Sequence, residues 1–383
     1  MMLGLLLARA GVDVVVLEKH ADFLRDFRGD TIHPSTLEVM HQLGLLDELL
    51  ALPHQEIREL TGIVGGDRLQ IADFSHLPVR CPFIALMPQW DFLDFLARHA
   101  RRHPSFALHM RTAVAELLYQ DGRVAGVRAA GPEGPLEIRA DLVVGADGRD
   151  STVRASAALS VKTLGAPMDV LWFRLPKRAG VSSMVLGRIE AGRIFVMLDR
   201  GDYWQCGFVI AKGTLDDIRA RGLDAFRADV ARLVGAPVER GVLRDWNDVK
   251  LLTVRVDRLT RWFRPGLLCI GDAAHAMSPV GGVGINLAIQ DAVAAANVLA
   301  PPLRARRVGV DALARVQRRR AWPTRVTQAI QVVVQNRVVR RVLETRRPVR
   351  APLAVRLLGR YPRLRQVPGR LVGLGIRPER VRV

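Results

Sequence analysis

The chain opens on an apolar run, LGLLLARAG over residues 3–11, whose length and closing glycine predict a short buried helix capped by Gly11. It passes straight into VDVVVLE, a β-branched run without polar alternation, the pattern of a parallel strand covered on both faces. Residues 34–50, with Pro34 in the first turn, predict a helix. So do residues 89–102, where Trp90, Phe92, Leu93, Leu96 and Ala97 make an apolar side. Residues 106–146 read as β-rich. AELLYQDGRVAGVRA sets Asp121-Gly122 between two strand-like runs, a hairpin signal, and DLVVGADG is a strand meeting a glycine turn. From about 165 to 260 the pattern is mostly strand, in VLWFRL, RIFVMLD and YWQCGFVI, with one helical stretch near 215–234. GLLCIGDAAHA restores a buried strand running into a turn. GINLAIQDAVAAANVLA predicts a helix ending before Pro301-Pro302. Alternating helices and strands around a separate sheet predict an α/β fold, and no internal repeat is visible.

Composition narrows the class. Half the residues (49%) are hydrophobic, so the chain has ample surface to bury and is not disordered by default. No run of 18 apolar residues occurs, which predicts no transmembrane helix. The opening lacks a basic leader and a small-residue cleavage site, so no signal peptide is expected. Cys81, Cys206 and Cys269 are few and scattered, against a disulfide framework or a zinc site, and predict a reduced, cytoplasmic protein. The net charge of +19 is confined to one place. Residues 303–383 carry 22 Arg and three acids, whereas residues 1–302 balance 35 bases with 35 acids. A GC-rich coding bias accounts for the excess of Arg over Lys without any function.

Candidate chemistry lies in two places. Glu18 stands at the carboxyl end of a strand, where a dinucleotide fold places the acid that binds ribose hydroxyls; a surface glutamate is the plainer reading. The glycine-rich turn that should precede it has no counterpart, because the sequence begins inside the following helix. The stronger signal is LCIGDAAHAMSPVGGVGINLAIQDA. A strand ends at Gly271-Asp272, with Asp272 set to accept from a ligand hydroxyl. Pro279, Gly281, Gly282 and Gly284 let backbone approach a flat ring, and a helix then begins with its positive end at that point.

That segment resembles the flavin-binding stretch of the para-hydroxybenzoate hydroxylase family, the FAD-dependent aromatic monooxygenases. DLVVGADGRDSTVR over residues 141–154 resembles the family's Asp-Gly motif, and VVVLEKHADFLRDFRGDTIHPSTLEVMHQLGL its region after the second strand. The likeness covers about residues 3–165 and 262–300; the middle sheet matches only in kind. It implies a Rossmann-like FAD-binding domain with a mixed β-sheet substrate domain and a helical C-terminal region. The boundaries it implies are 1–75, 99–165 and 262–300 for the FAD-binding parts, 76–98 for a substrate-side segment, 166–261 for the substrate domain and 301–383 for the Arg-rich end. Glu18 would bind ribose, and Arg28 and Gln89 would lie near the flavin. Asp147 and Gly148 would serve the pyrophosphate side and NAD(P)H use, Asp272 would bind the ribityl chain, and Gly271 beside it is counted among the cofactor-binding residues. Pro279, Gly281, Gly282, Gly284 and Asn286 would border the ring. Family members begin with a strand and GxGxxG motif, so the start codon is expected roughly thirty residues upstream.

The resemblance implies FAD as bound cofactor, NAD(P)H as transient co-substrate, and O2 adding to reduced flavin to give a C4a-hydroperoxide that hydroxylates an aromatic or polycyclic small molecule. No metal is expected, and no catalytic base is assigned: His33, His41 and His275 read more readily as packing or surface residues, and Tyr203 and Trp204 as core. The rival readings are a reductase or halogenase of the same fold, the latter opposed by the lack of a Trp-x-Trp-x-Ile-Pro element, and a non-catalytic homologue working through its basic tail. In that tail RVQRRRAWPTRVTQAIQVVVQNRVVRRVLETRR is helix-compatible; packing on the body is preferred over peripheral membrane contact through residues 303–383. Nucleic acid is not expected, since stacking aromatics are scarce. A homodimer stays open.

Overall fold

The computed structural model describes residues 1–24, 31–177 and 187–383. Helix α1 (Met2–Arg9) buries every residue but Arg9. It lies flat on strand β1 (Val14–Leu17), so close that a Cβ on Gly4 would come within 2.9 Å of Val16. Strand β1 pairs in parallel with β2 (Phe106–His109), Val14 opposite Phe106 and Leu17 opposite His109. A second parallel pair joins β3 (Val143–Gly145) to β4 (Leu267–Cys269), and Phe263–Arg264 adds an antiparallel strand. The nucleotide-type sheet is therefore in two pieces. Among the described residues no strand pairs with the remaining edge of β1 or of β3, and Val15 is 46% exposed. A central parallel strand normally has neighbours on both sides.

The expected hairpin forms as Ala113–Gln120 and Arg123–Gly131, with Asp121 at φ 50° and Gly122 at φ 75° making the tight turn. The expected helix over 34–50 is instead two, Pro34–Gln42 and Leu46–Leu50, because Gly44 takes φ 72° between them. The helical stretch near 215–234 is likewise split by Gly222 at φ 86°.

The largest sheet has seven strands in the order Lys250–Leu252, Met168–Pro176, Tyr203–Ala211, Arg193–Asp199, Gly187–Glu190, Glu59–Val64, Asp67–Asp73. Its last two strands come from before residue 75, so the sheet takes a hairpin from inside the expected first FAD-binding segment. Their pairing is non-local, Gly62 lying opposite Gly187. One face of the sheet is closed by Leu223–Val234, whose Phe226 meets Phe173 and Phe208 edge-on at 5.5 Å.

Helix α2 (Gly284–Arg304) is the central helix of the molecule. The sequence predicts a stop before Pro301, yet the helix runs through both prolines. Proline keeps a helical φ, and the full burial of Leu299 and Ala300 outweighs the lost backbone bonds. The stretch Val280–Arg304 is long and apolar enough by composition alone to cross a membrane, but 72% of its most apolar 18-residue window is buried inside the protein, as in a core helix. Helix α3 (Val310–Val334) follows and continues through a π-turn at Gln335–Val339 into Arg340–Glu344. It packs Ala312, Leu313 and Val316 on the body and turns its other face, with Arg315, Arg318 and Arg325, to water.

Candidate functional site

Strand β4 delivers the chain to a 3-10 turn at Gly271–Ala273, where Gly271 takes φ 57°. The Asp272 carboxylate is partly exposed and lies 3.6 Å from the Arg149 guanidinium. Arg149 also donates to the Thr253 carbonyl at 3.2 Å, which ties the glycine turn after β3 to this acid. Eight residues on, Pro279 leads into a second 3-10 turn, with Gly281 at φ 81° and Gly282 at φ 64°. A side chain at 282 is excluded twice over: the backbone is left-handed, and a Cβ would stand 2.8 Å from Thr31 Oγ1. That hydroxyl donates to the Gly282 carbonyl at 3.0 Å and fixes the loop. Helix α2 starts at Gly284 with no side chain capping it, so its first-turn N–H groups present a partial positive charge.

Asn286, expected to border the flavin ring, spends its side chain on the protein. Its Oδ1 accepts from the His33 backbone N–H at 3.0 Å and the Thr36 hydroxyl at 2.7 Å, while Nδ2 donates to the Thr31 carbonyl at 3.3 Å. The residue thus locks the glycine loop to the segment 31–36. His33 is fully buried. Its Nδ1 donates to the Val372 carbonyl at 2.8 Å, and burial lowers its pKa to about 4, so the ring is neutral.

Two supports under the loop escaped the sequence reading. Buried Gln331 on α3 accepts from the Ser278 N–H at 3.1 Å and donates to the Ser278 and Val280 carbonyls at 2.9 and 2.8 Å. Gln328, one turn earlier, donates to the Asp257 and Ala276 carbonyls. A glutamine recurring at 328, 331 and 335, one helix face, was the available signal. The second support is charged. Asp291 of α2 accepts from the Gly271 N–H at 3.1 Å, pairs with His275 at 2.5 Å, and takes Arg320 Nε at 2.9 Å. Burial pushes the Asp291 pKa up, but His275 and Arg320 overcome it and hold the carboxyl below its ordinary value. Arg320 and Arg319 in turn meet the buried Glu379 near the carboxyl end of the sequence.

The remaining expected positions lie around this core. Glu18 follows β1 beside the start of α1, accepts from the His20 N–H at 2.9 Å, and faces the Met1 ammonium, whose pKa burial lowers against the pull of Glu18. Gln89 is the first residue of Gln89–Ala100. The Asp147 carboxylate accepts from Ser151 Oγ at 2.5 Å and the Val153 N–H at 3.1 Å, so it holds the helix Thr152–Ser156. Gly148 takes φ 87° with open space where a side chain would be. Arg28 lies outside the described residues. The three cysteines are buried and unpaired, and burial pushes the Cys269 thiol up to about 12. A cavity of about 480 Å³ lined in part by Thr61, Gln70 and Arg356 sits on the far edge of the seven-stranded sheet, away from all these residues.

The residues fit an FAD. The left-handed backbone at Gly281 and Gly282 keeps side chains off the loop and leaves bare backbone for a flat ring, the uncapped α2 terminus suits a ring that becomes anionic on reduction, Asp272 suits a polyol and Glu18 a ribose. Comparison with known proteins decides the family, since the FAD binding domain family matches residues 1–329. The chain belongs to the family of FAD-dependent aromatic monooxygenases. Among its relatives is the 6-methylpretetramide 4-monooxygenase of Streptomyces rimosus, 33% identical over 370 residues, which are 95% of this chain and 87% of that protein. Another is the rifampicin monooxygenase of Streptomyces venezuelae, 30% identical over 74% of this chain but only 58% of that protein's length. The fold is that of p-nitrophenol 4-monooxygenase PnpA from Pseudomonas putida, with a TM-score of 0.79, 19% identity, and 98% and 96% of the two chains covered. This monooxygenase therefore takes FAD as its cofactor, as the sequence resemblance implies.

Proposed function

We propose that this monooxygenase uses NAD(P)H and O2 to hydroxylate an aromatic or polycyclic small molecule. The observation that carries the reading is the 33% identity over 95% of the chain to a relative named as a 4-monooxygenase, together with a glycine cradle that admits no side chain. When bound, FAD supplies the redox and oxygen chemistry. The chain's residues supply placement. Asp272 holds a hydroxyl-bearing chain and is itself set by Arg149. Gly281, Gly282 and the N–H groups at the start of α2 accept the flat ring and offset negative charge on it. Asn286, Gln331 and Asp291 hold that backbone still. The Met168–Pro176 and Tyr203–Ala211 strands belong to the sheet that would roof the substrate and exclude water.

The test is the visible absorbance spectrum of the purified chain with added FAD, followed by oxygen uptake with NADH or NADPH and a panel of phenolic and polycyclic aromatics. Stoichiometric flavin and aromatic-stimulated, oxygen-dependent nucleotide oxidation are expected, with flavin lost in Asp272→Ala. A colourless protein, or flavin retained equally by Asp272→Ala, overturns the site. Bound flavin with no stimulation by any aromatic overturns the reaction.

A further inference from the structure

The basic helix α3 packs one face on the body and turns Arg315, Arg318 and Arg325 to water, and a second basic segment follows it. Between Glu344 and Glu379 the chain has nine arginines and no acid. This arm forms α4 (Leu353–Arg360), a turn at Pro362–Arg365, and α5 (Gln366–Gly373), laid along the edge strand Asp67–Asp73. It is firmly seated. A Cβ on Gly369 would overlap the Asp73 carbonyl, one on Gly373 would come within 2.7 Å of Leu77, and Arg365 donates to the Leu358 and Gly359 carbonyls at 2.7 and 2.6 Å. Yet its outer side is apolar. Leu353 is 70% and Val367 69% exposed, and Leu357, Tyr361 and Leu364 are exposed with them. Helical spacing puts Leu353 with Leu357, and Leu364 with Val367. Arg360, Arg363 and Arg370 are exposed between these apolar tips.

We propose that this arm is a docking surface for an anionic lipid bilayer. Charge complementarity carries the choice of partner, because the chain's whole excess of +19 sits in its last 81 residues over a neutral body. Aliphatic tips among arginines enter the acyl boundary while guanidinium heads stay with lipid phosphates. Nucleic acid would want stacking rings, and the outer side offers Tyr361 alone. Two copies of so basic a face repel. Of the acids beside the arm, Asp73 lies under Gly369 with its side chain only 14% exposed, and Glu59 and Asp67 line the cavity behind α4 together with Arg68, Arg356 and Arg365, on its inner side.

The test uses the full chain in co-sedimentation with vesicles of phosphatidylcholine, with and without roughly one-third phosphatidylglycerol, at low and high salt. Binding about ten-fold tighter or more to the anionic vesicles is expected, weakened by salt. Leu353→Asp with Leu357→Asp, and separately Arg360→Glu with Arg363→Glu, should each lower it by about ten-fold or more while thermal unfolding is unchanged. Equal binding to neutral vesicles, or none to either, overturns the proposal. So does competition by a short DNA duplex with the leucine variant binding normally, which marks a general polyanion site. Concentration-dependent self-association abolished by the leucine variant, without vesicle binding, marks an interface between copies and also overturns it.

Discussion

Replacing Gln331 by Leu keeps the shape of a buried side chain and removes three hydrogen bonds to the loop proposed to hold the flavin. The Ser278 N–H and the Ser278 and Val280 carbonyls are then left facing an apolar group. Each buried, unpartnered backbone group costs about 1–3 kcal/mol. Three together set an upper range near 3–9 kcal/mol, and entry of water brings the expected loss to about 3 kcal/mol. With an unfolding entropy of about 2.1 cal/mol/K per residue, a chain this long loses roughly 4 °C in Tm, and more if a smaller unit melts first. The loop also departs from the geometry that accepts the flavin. A penalty of about 1.4 kcal/mol there raises the FAD dissociation constant ten-fold. Differential scanning calorimetry and flavin-fluorescence titration measure the two effects separately. Val333→Ala, on the exposed side of the same helix, is the control and should lie within about 0.5 kcal/mol of the parent. A Gln331→Leu protein with the parent's Tm and FAD affinity would refute the argument that α3 sets this loop.

Gly282→Ala should weaken FAD binding and destabilise the protein by about 1–3 kcal/mol, since a left-handed backbone and the Thr31 hydroxyl both oppose the new methyl; an unaltered flavin titration would contradict this. His33 makes stability pH-dependent. Its pKa is about 4 in the folded protein and near 6.5 in an unfolded chain, so between those values the unfolded state binds the extra proton. The stability is fully present above pH 6.5 and falls by roughly 3 kcal/mol as the pH drops to 4. Urea midpoints across that range should flatten in His33→Asn, and identical slopes in the two proteins would exclude His33 as the source. Glu379→Gln removes the buried charge that Arg319 meets and leaves Arg320 with Asp291 as its one carboxylate partner. A loss of about 3 kcal/mol or more is expected in thermal melts, with weaker FAD retention through Asp291 and Gly271; a neutral outcome argues against any reach of the carboxyl end into the site.

Local features of the chain were legible without a structure. The hairpin at Asp121-Gly122 needs only two left-handed residues between apolar runs. The glycine loop and the start of α2 are a continuous stretch whose backbone chemistry is written in its own residues. Asp272 and Glu18 follow from strand ends in the same way. Prolines 301 and 302 misled because propensity is weak against the full burial of the residues beside them.

What tertiary structure alone decided is who meets whom. Asn286 is expected beside the ring from its place in the glycine stretch, but that its side chain accepts from His33 and Thr36, some 250 residues away, is set by folding. Gln331, Arg320 and Glu379 carry no motif; they matter because α3 and the carboxyl end pack beneath the loop, and a buried polar group must find a partner wherever one is brought near. The strand Glu59–Val64 joins the distant sheet because pairing depends on which edges folding leaves adjacent. Composition placed the positive charge in the tail, whereas packing decided that α3 seats Leu313 and Val316 on the body while Leu353 and Val367 face water.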